Sequence, residues 1–375
     1  MTRLIRAKHI AMHAALLATS LACLAGLSGC LEGESEGEPT PAPREASFLF
    51  SLNSDRKSGT YSVLRLDSNI ISRDIAAIHS DAAVRWLGGD DIFIINRLGR
   101  DNIQVIDRKN LKTVLQFSLP STSNPYDLAL KDSLLYVGFY NLAEIRIYHQ
   151  KEGESRGSID ISAYADTSDG KPEVPDVEIL GEYLYVLLAN LDTKNGWIPL
   201  QSKLLRIRLA DKRIESLDLP YGNALNVAYD SAAGRLYIPC RGAYFTSDKK
   251  HALDGGIVSV DLEKWAVADT LQTEASLGGT VNPVTLHEGR LYTAVTAAEE
   301  TILSFAPTMG AATTTLATLE AYQFAGLAID GEADILYVGD RMQGLRSFNL
   351  GANKENDSAK VSLGDLPIAD LVLVK

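Results

Sequence analysis

The chain has little sulfur, little tryptophan and a deficit of positive charge. Three cysteines in 375 residues cannot staple a disulfide scaffold. Lys and Arg number 36 against 48 Asp and Glu, a formal net charge of −12. That balance argues against nucleic acid as a partner, because phosphates need a basic face. Beyond residue 47 no apolar pattern of helical period runs for a useful length, which excludes a helical bundle. His-Glu-x-x-His, Cys-x-x-Cys and the phosphate-binding Gly-x-x-x-x-Gly-Lys are also absent. Their absence removes positive evidence for an enzyme, although loops distant in sequence can still assemble a site. His79, His149, His251 and His287 are not at ligand spacing with one another. Cys240 has no His or Asn partner implied by spacing, so it reads as a buried inert thiol. The 46% hydrophobic content is too high for a disordered chain.

What is present begins with an address. Arg3, Arg6 and Lys8 precede an apolar stretch from about Ile10 to Leu27, the pattern of a secretory signal over residues 1–29. Its alternative is an uncleaved signal anchor, since the stretch approaches membrane-spanning length. Leu27-Ser28-Gly29-Cys30 resembles the bacterial lipobox, which implies an acylated Cys30 as first mature residue and a lipid-anchored protein. Leu31 at the next position, where inner-membrane lipoproteins often carry Asp, implies the outer membrane. Without the three signal bases, 33 remain against 48 acids, or −15. Residues 30–46, rich in Glu, Gly, Pro and Ser, read as a solvated tether.

Residues 47–375 consist of short alternating or apolar runs punctuated by Gly, Pro, Asn and Asp, which predicts an all-β domain. An aromatic-centred strand recurs at Phe50, Phe93, Tyr136, Tyr185, Tyr237, Tyr292 and Tyr337. The spacings are 43, 43, 49, 52, 55 and 45 residues, the length of a four-stranded propeller blade. Each aromatic run is followed by a second strand-like run and six are preceded by one. Nothing suitable precedes Phe50. The missing seventh is IADLVLV (368–374) at the other end of the chain. The pattern therefore predicts a seven-bladed β-propeller of four-stranded antiparallel blades, closed by the C-terminal strand, which removes exposed edges. The aromatics are expected to pack between blades. ILYVG (335–339), NIQVID (102–107) and LLYVG (134–138) resemble the YVTN-type β-propeller repeat. That resemblance covers nearly the whole mature chain and implies architecture rather than activity. Some propellers of this kind are lactone hydrolases or quinone-dependent dehydrogenases, so the resemblance also allows a periplasmic enzyme.

Loop lengths point to one face. With strands a to d running outward from the axis, b–c and d–a loops share a face. The step from b to c is 13 residues from Phe93 to Ile106 but 24 from Tyr185 to Leu209 and 23 from Tyr237 to Val260. The d–a crossing at about 161–174 is long as well. Such loops in a compact fold are commonly functional. The first insertion carries Asp166, Asp169, Glu173 and Asp176, oxygens suited to Ca²⁺. Placing Gly170 at the turn of an EF-hand loop would make Ala165 the first ligand, so a solvated acidic loop is the competing reading. The other insertions carry Trp197, Tyr244, Phe245, Asp248, Lys249, Lys250, His251 and Asp254. Strand ends place Asn53, Asn96, Arg97, Tyr140, Asn190, Arg241 and Arg341 around the channel mouth. Three converging arginines would attract a carboxylate or phosphate, unless Arg97 pairs with Asp101 and Arg341 with Asp340. These features predict a non-catalytic binding module, its partner an envelope protein or glycan.

Overall fold

The computed structural model describes residues 47–244, 251–356 and 360–375. The signal, Cys30, the tether and Phe245, Asp248, Lys249 and Lys250 lie outside the described residues. Seven four-stranded antiparallel sheets follow one another as blades 1 to 7. In blade 1 the aromatic strand Phe48–Ser54 pairs on one side with Gly59–Arg65 and on the other with Ile368–Val374. The C-terminal strand is thus strand a of the first blade, in the order the repeat count requires. Two blades deviate locally. Strand a of blade 5 is Ala228–Asp230, shorter than the 223–230 run, with one further bridge between Ala224 and Cys240. Strand d of blade 7 is only Lys354–Glu355.

The seven recurring aromatics explain why the ring holds together. Successive residues of a strand face opposite sides of the sheet, so the same strand serves two neighbours. Leu49 enters the cluster between blades 7 and 1, and Phe50 the one between 1 and 2. Phe93, Tyr136, Tyr185, Tyr237, Tyr292 and Tyr337 each join a different cluster between their own blade and the next. None is more than 8% exposed, so every blade interface contains at least one large buried ring. Cys240 is fully buried and free. Burial, reinforced by Glu274, pushes its thiol far above the normal range, which makes it unreactive.

Candidate functional site

The axial channel encloses a cavity of about 560 Å³, a volume that suits a small ligand. Its wall comes from strand a of six blades and, in blade 5, from Leu225 and Asn226 just before strand a. Strand register sorts that wall into layers. Opposite the seven aromatics stand Val372, Arg85, Ala129, Glu178, Ala228, Thr285 and Ala328; of these Arg85, Glu178 and Thr285 line the cavity, and the others pack between blades. Two residues nearer the mouth stand Asp370, Ala83, Asp127, Asp176, Asn226, Pro283 and Gly326.

The polar members of this second layer are struts between blades. Strand a has a sheet partner on one side only, so its remaining N–H groups need other acceptors. Asp370 accepts from Val84 N at 3.0 Å, Asp127 from Val177 N at 2.9 Å, Asp176 from Val227 N at 2.6 Å, and Asn226 from Val284 N at 3.0 Å. Each bond runs from one blade to the next. Arg85 completes the step from blade 2 to blade 3, with Nε 2.5 Å from Asp127 Oδ1 and Nη1 3.9 Å from Asp370 Oδ2. Burial, the charge of Asp127 and a hydrogen bond to it hold the Asp176 carboxyl well above the ordinary range. Burial raises Asp370 too, and pushes Glu178 up to about 7 with help from Asp127. Glu178 lines the cavity yet, among the described residues, accepts no hydrogen bond and joins no ion pair.

Arg97, Tyr140, Arg241 and Arg341 all line the mouth of this cavity. Their partners differ from those nearest in sequence. Arg97 pairs with Asp81 at 2.9 Å, not with Asp101, and lies 4.5 Å over the Tyr126 ring. Asp101 instead caps the amides of Thr122 and Asn124. Tyr126 stacks on Tyr140 with centroids 4.1 Å apart. Burial pushes the Tyr140 hydroxyl far above its usual value. Arg241 donates to Val281 O at 3.2 Å and Asn282 Oδ1 at 2.9 Å, and lies 5.2 Å over Tyr244. Asp340 faces Arg346 at 3.7 Å rather than Arg341. The Arg341 guanidinium has no hydrogen bond or ion pair among the described residues. Its pKa is lowered by burial and by Arg56 nearby. Arg56 lies in the exposed b–c turn of blade 1, beyond the strand Phe48–Ser54, and is not among the residues that strand ends point to.

The asparagines among the candidates face inward. Asn53 bonds Ser51 and Ser62, Asn96 bonds His79 N and Asn102, and Asn190 donates to Gln201 O. The blade 4 insertion folds into a small hairpin, Leu191–Asp192 against Ile198–Pro199, with exposed Trp197 at its tip. A Cβ on Gly222 would meet Leu200 O at 2.4 Å, so only glycine lets that hairpin seat on the crossing into blade 5. Trp197, Leu98 and Tyr322 are exposed at 57%, 63% and 50%, with φ of 64°, 45° and 65°. Three large side chains held out in left-handed backbone, on the channel-mouth face, is an unusual and costly arrangement.

The four acids considered for Ca²⁺ are divided. Asp176 lies in the channel wall. Asp166 accepts from Ser168, and Asp169 from Lys171 N and Thr193 Oγ1. Glu173 is 1% exposed, accepts from Leu191 N at 2.8 Å and leaves Oε1 unpartnered. Burial raises it to about 8. Among the described residues, the group of three side chains with ligand atoms within 4.8 Å of one another is His287, Glu288 and Asp334. It joins the a–b turns of blades 6 and 7, a meeting that spacing within one blade could not signal.

No protein-family model and no curated protein matches the sequence. Solved structures do. AztD from Citrobacter koseri aligns with TM-score 0.55 and 13% identity over 86% of this chain and 83% of its own. Its apo form aligns with TM-score 0.54 and 12% identity over 88% and 98%. Kuenenia stuttgartiensis hydrazine synthase aligns with TM-score 0.54 and 13% identity over 70% and 74%. At these identities the likeness establishes the propeller fold alone.

Proposed function

We propose that this chain is a lipid-anchored envelope propeller of YVTN type that binds an anionic group of a protein or glycan at its channel mouth. The observation that carries this reading is Arg341. A guanidinium that is partly buried and unpartnered has given up water without a counter-charge, and Arg56 adds a like charge beside it. A carboxylate or phosphate seated there relieves both, in the bidentate geometry that arginine favours. The apolar rim of Leu98, Trp197 and Tyr322 then supplies contact area, as rigid aromatic anchors do at interfaces. The anchor part rests on Leu27-Ser28-Gly29-Cys30. An enzymatic reading, lactone hydrolase-like or quinone-dependent dehydrogenase-like, draws on the Asp127–Asp176 carboxyl pair. Three of that pair's oxygens are already bound to Arg85, Val177 N and Val227 N, which favours a structural role over proton transfer.

Two measurements test the reading. Millimolar inorganic phosphate is expected to raise the melting temperature of the wild type, since a ligand of the folded state stabilises it. Arg341→Gln should abolish most of that shift, whereas Lys109→Gln, at an exposed turn of blade 2 away from the cavity, should keep it. An unchanged shift in Arg341→Gln removes the anion site. Independently, Cys30→Ser should leave the chain as an unprocessed precursor or release it from membranes. A mature-size mutant that still fractionates with membranes would rule out acylation as the anchor.

A further inference from the structure

The cavity is polarised along its axis. Arg97, Arg241 and Arg341 stand at the mouth, while Asp127, Asp176, Glu178 and Asp370 face Arg85 alone in the two layers below. Four carboxyl groups against one guanidinium make the lower channel acidic. The struts and Arg85 occupy Asp127, Asp176 and Asp370. Glu178 is the acid left over, as Arg341 is the base left over. Thr285 stands in the same layer as Glu178 and lines the same cavity, with no hydrogen bond to its hydroxyl among the described residues.

The two unspent groups sit at different depths. Glu178 pairs with the aromatic Tyr185. Arg341 lies four residues beyond the equivalent aromatic, Tyr337. At about 3.3 Å per strand residue that is roughly 13 Å along the axis. The long Arg341 side chain shortens the gap between charged ends to on the order of 10 Å, the length of an extended tripeptide.

Resting on the anion-binding reading above, we infer that the channel takes an amphoteric chain of about tripeptide length, ammonium end first. Its ammonium group meets the Glu178 carboxylate and Thr285 hydroxyl, and its carboxylate meets Arg341 at the mouth. An anion without the amine fills only the upper half. An amine without the anion passes a mouth lined by like charge. The ligand class is therefore set by two opposite charges at fixed separation, with hydrogen-bonding walls between them.

Calorimetry on the full chain in detergent tests this with triglycine, N-acetyl-triglycine and triglycine amide. Triglycine should bind at least about tenfold more tightly than either blocked form, the scale of one lost hydrogen bond to a charged group. Glu178→Gln should erase discrimination against the N-acetyl form and keep discrimination against the amide. Arg341→Gln should do the reverse. If Glu178→Gln does not fold, Glu178→Asp should keep the preference at reduced affinity. Equal binding of triglycine and its N-acetyl form overturns the ammonium site and leaves the anion reading standing. Equal binding of triglycine and its amide overturns the carboxylate contact at Arg341 and with it this inference, and overturns the anion reading as well where phosphate also leaves the melting temperature unchanged. No binding of triglycine, with phosphate still stabilising the chain, overturns this inference alone.

Discussion

Deleting residues 368–375 is expected to abolish the cooperative unfolding transition of the propeller rather than lower its midpoint slightly. The strand Ile368–Val374 pairs antiparallel with Phe48–Asn53, with one register shift between Leu52 and Asn53. Its loss exposes one edge of blade 1 to the channel and opens the seam between the two ends of the chain. Ile368 and Leu371 belong to the cluster between blades 7 and 1, and Val374 to the one between blades 1 and 2. Burying three such side chains contributes roughly 5–9 kcal/mol at 1.5–3 kcal/mol each. That is comparable with the whole net stability of a folded domain, about 5–15 kcal/mol. Asp370 goes too, leaving Val84 N without its acceptor. Calorimetry should show a lost or broad, weakly endothermic transition. Deleting only Lys375, whose ammonium lies 3.5 Å from Asp330, should cost little, because exposed ion pairs contribute under about 1 kcal/mol. A truncated chain that melts as the wild type does would rule out the closed ring.

The ring itself was legible because its cause is periodic. A large aromatic every 43 to 55 residues puts a buried ring at every interface, and closure followed from counting strands. The site was legible only in part. Strand ends brought Arg97, Tyr140, Arg241 and Arg341 to one cavity, but not their partners. Arg97 was matched with Asp101, close in sequence, yet the pairing of Ala82 with Asn96 places Asp81 directly across from Arg97. In an antiparallel sheet the neighbour is set by register, not by distance along the chain. Asp176 illustrates the other limit. It follows an acidic crossing and was grouped with Asp166 and Asp169, although it opens strand a. Its role as a strut depends on the next blade's Val227, 51 residues away. Insertion length was a weaker guide than depth: among the described residues the long loops give the cavity only Pro175 and Arg241, Asp176 belonging to strand a.

Arg85→Gln should be the most damaging single substitution in the channel, with an effect that grows with pH. The guanidinium faces Asp127 and Asp370 and the field of Asp176, with Glu178 also in range. Removing one partner of a buried charge group leaves the others uncompensated, at a cost of about 3–5 kcal/mol. Arg85 is 34% exposed, so channel water screens the loss to roughly 2–3 kcal/mol. The pH dependence follows from the acids. Asp176 and Asp370 already titrate above their usual range, and Glu178 near 7. A carboxyl whose pKa is higher folded than unfolded binds its proton more tightly in the native state. Stability therefore falls as pH rises from the unfolded value through the folded one. Without Arg85 these pKa values rise further. The deficit should thus be smaller at pH 5 than near pH 8, because Glu178, raised to about 7, and the raised Asp176 and Asp370 lose protons as pH climbs. Denaturant midpoints of wild type and mutant across that range measure it. Asp127→Asn in the Arg85→Gln background should recover part of the loss at pH 8, because it removes the acid closest to the missing cation while keeping an oxygen for Val177 N. A loss that is the same at both pH values, and unrelieved by Asp127→Asn, would mean that Arg85 stabilises the channel wall by packing rather than by charge.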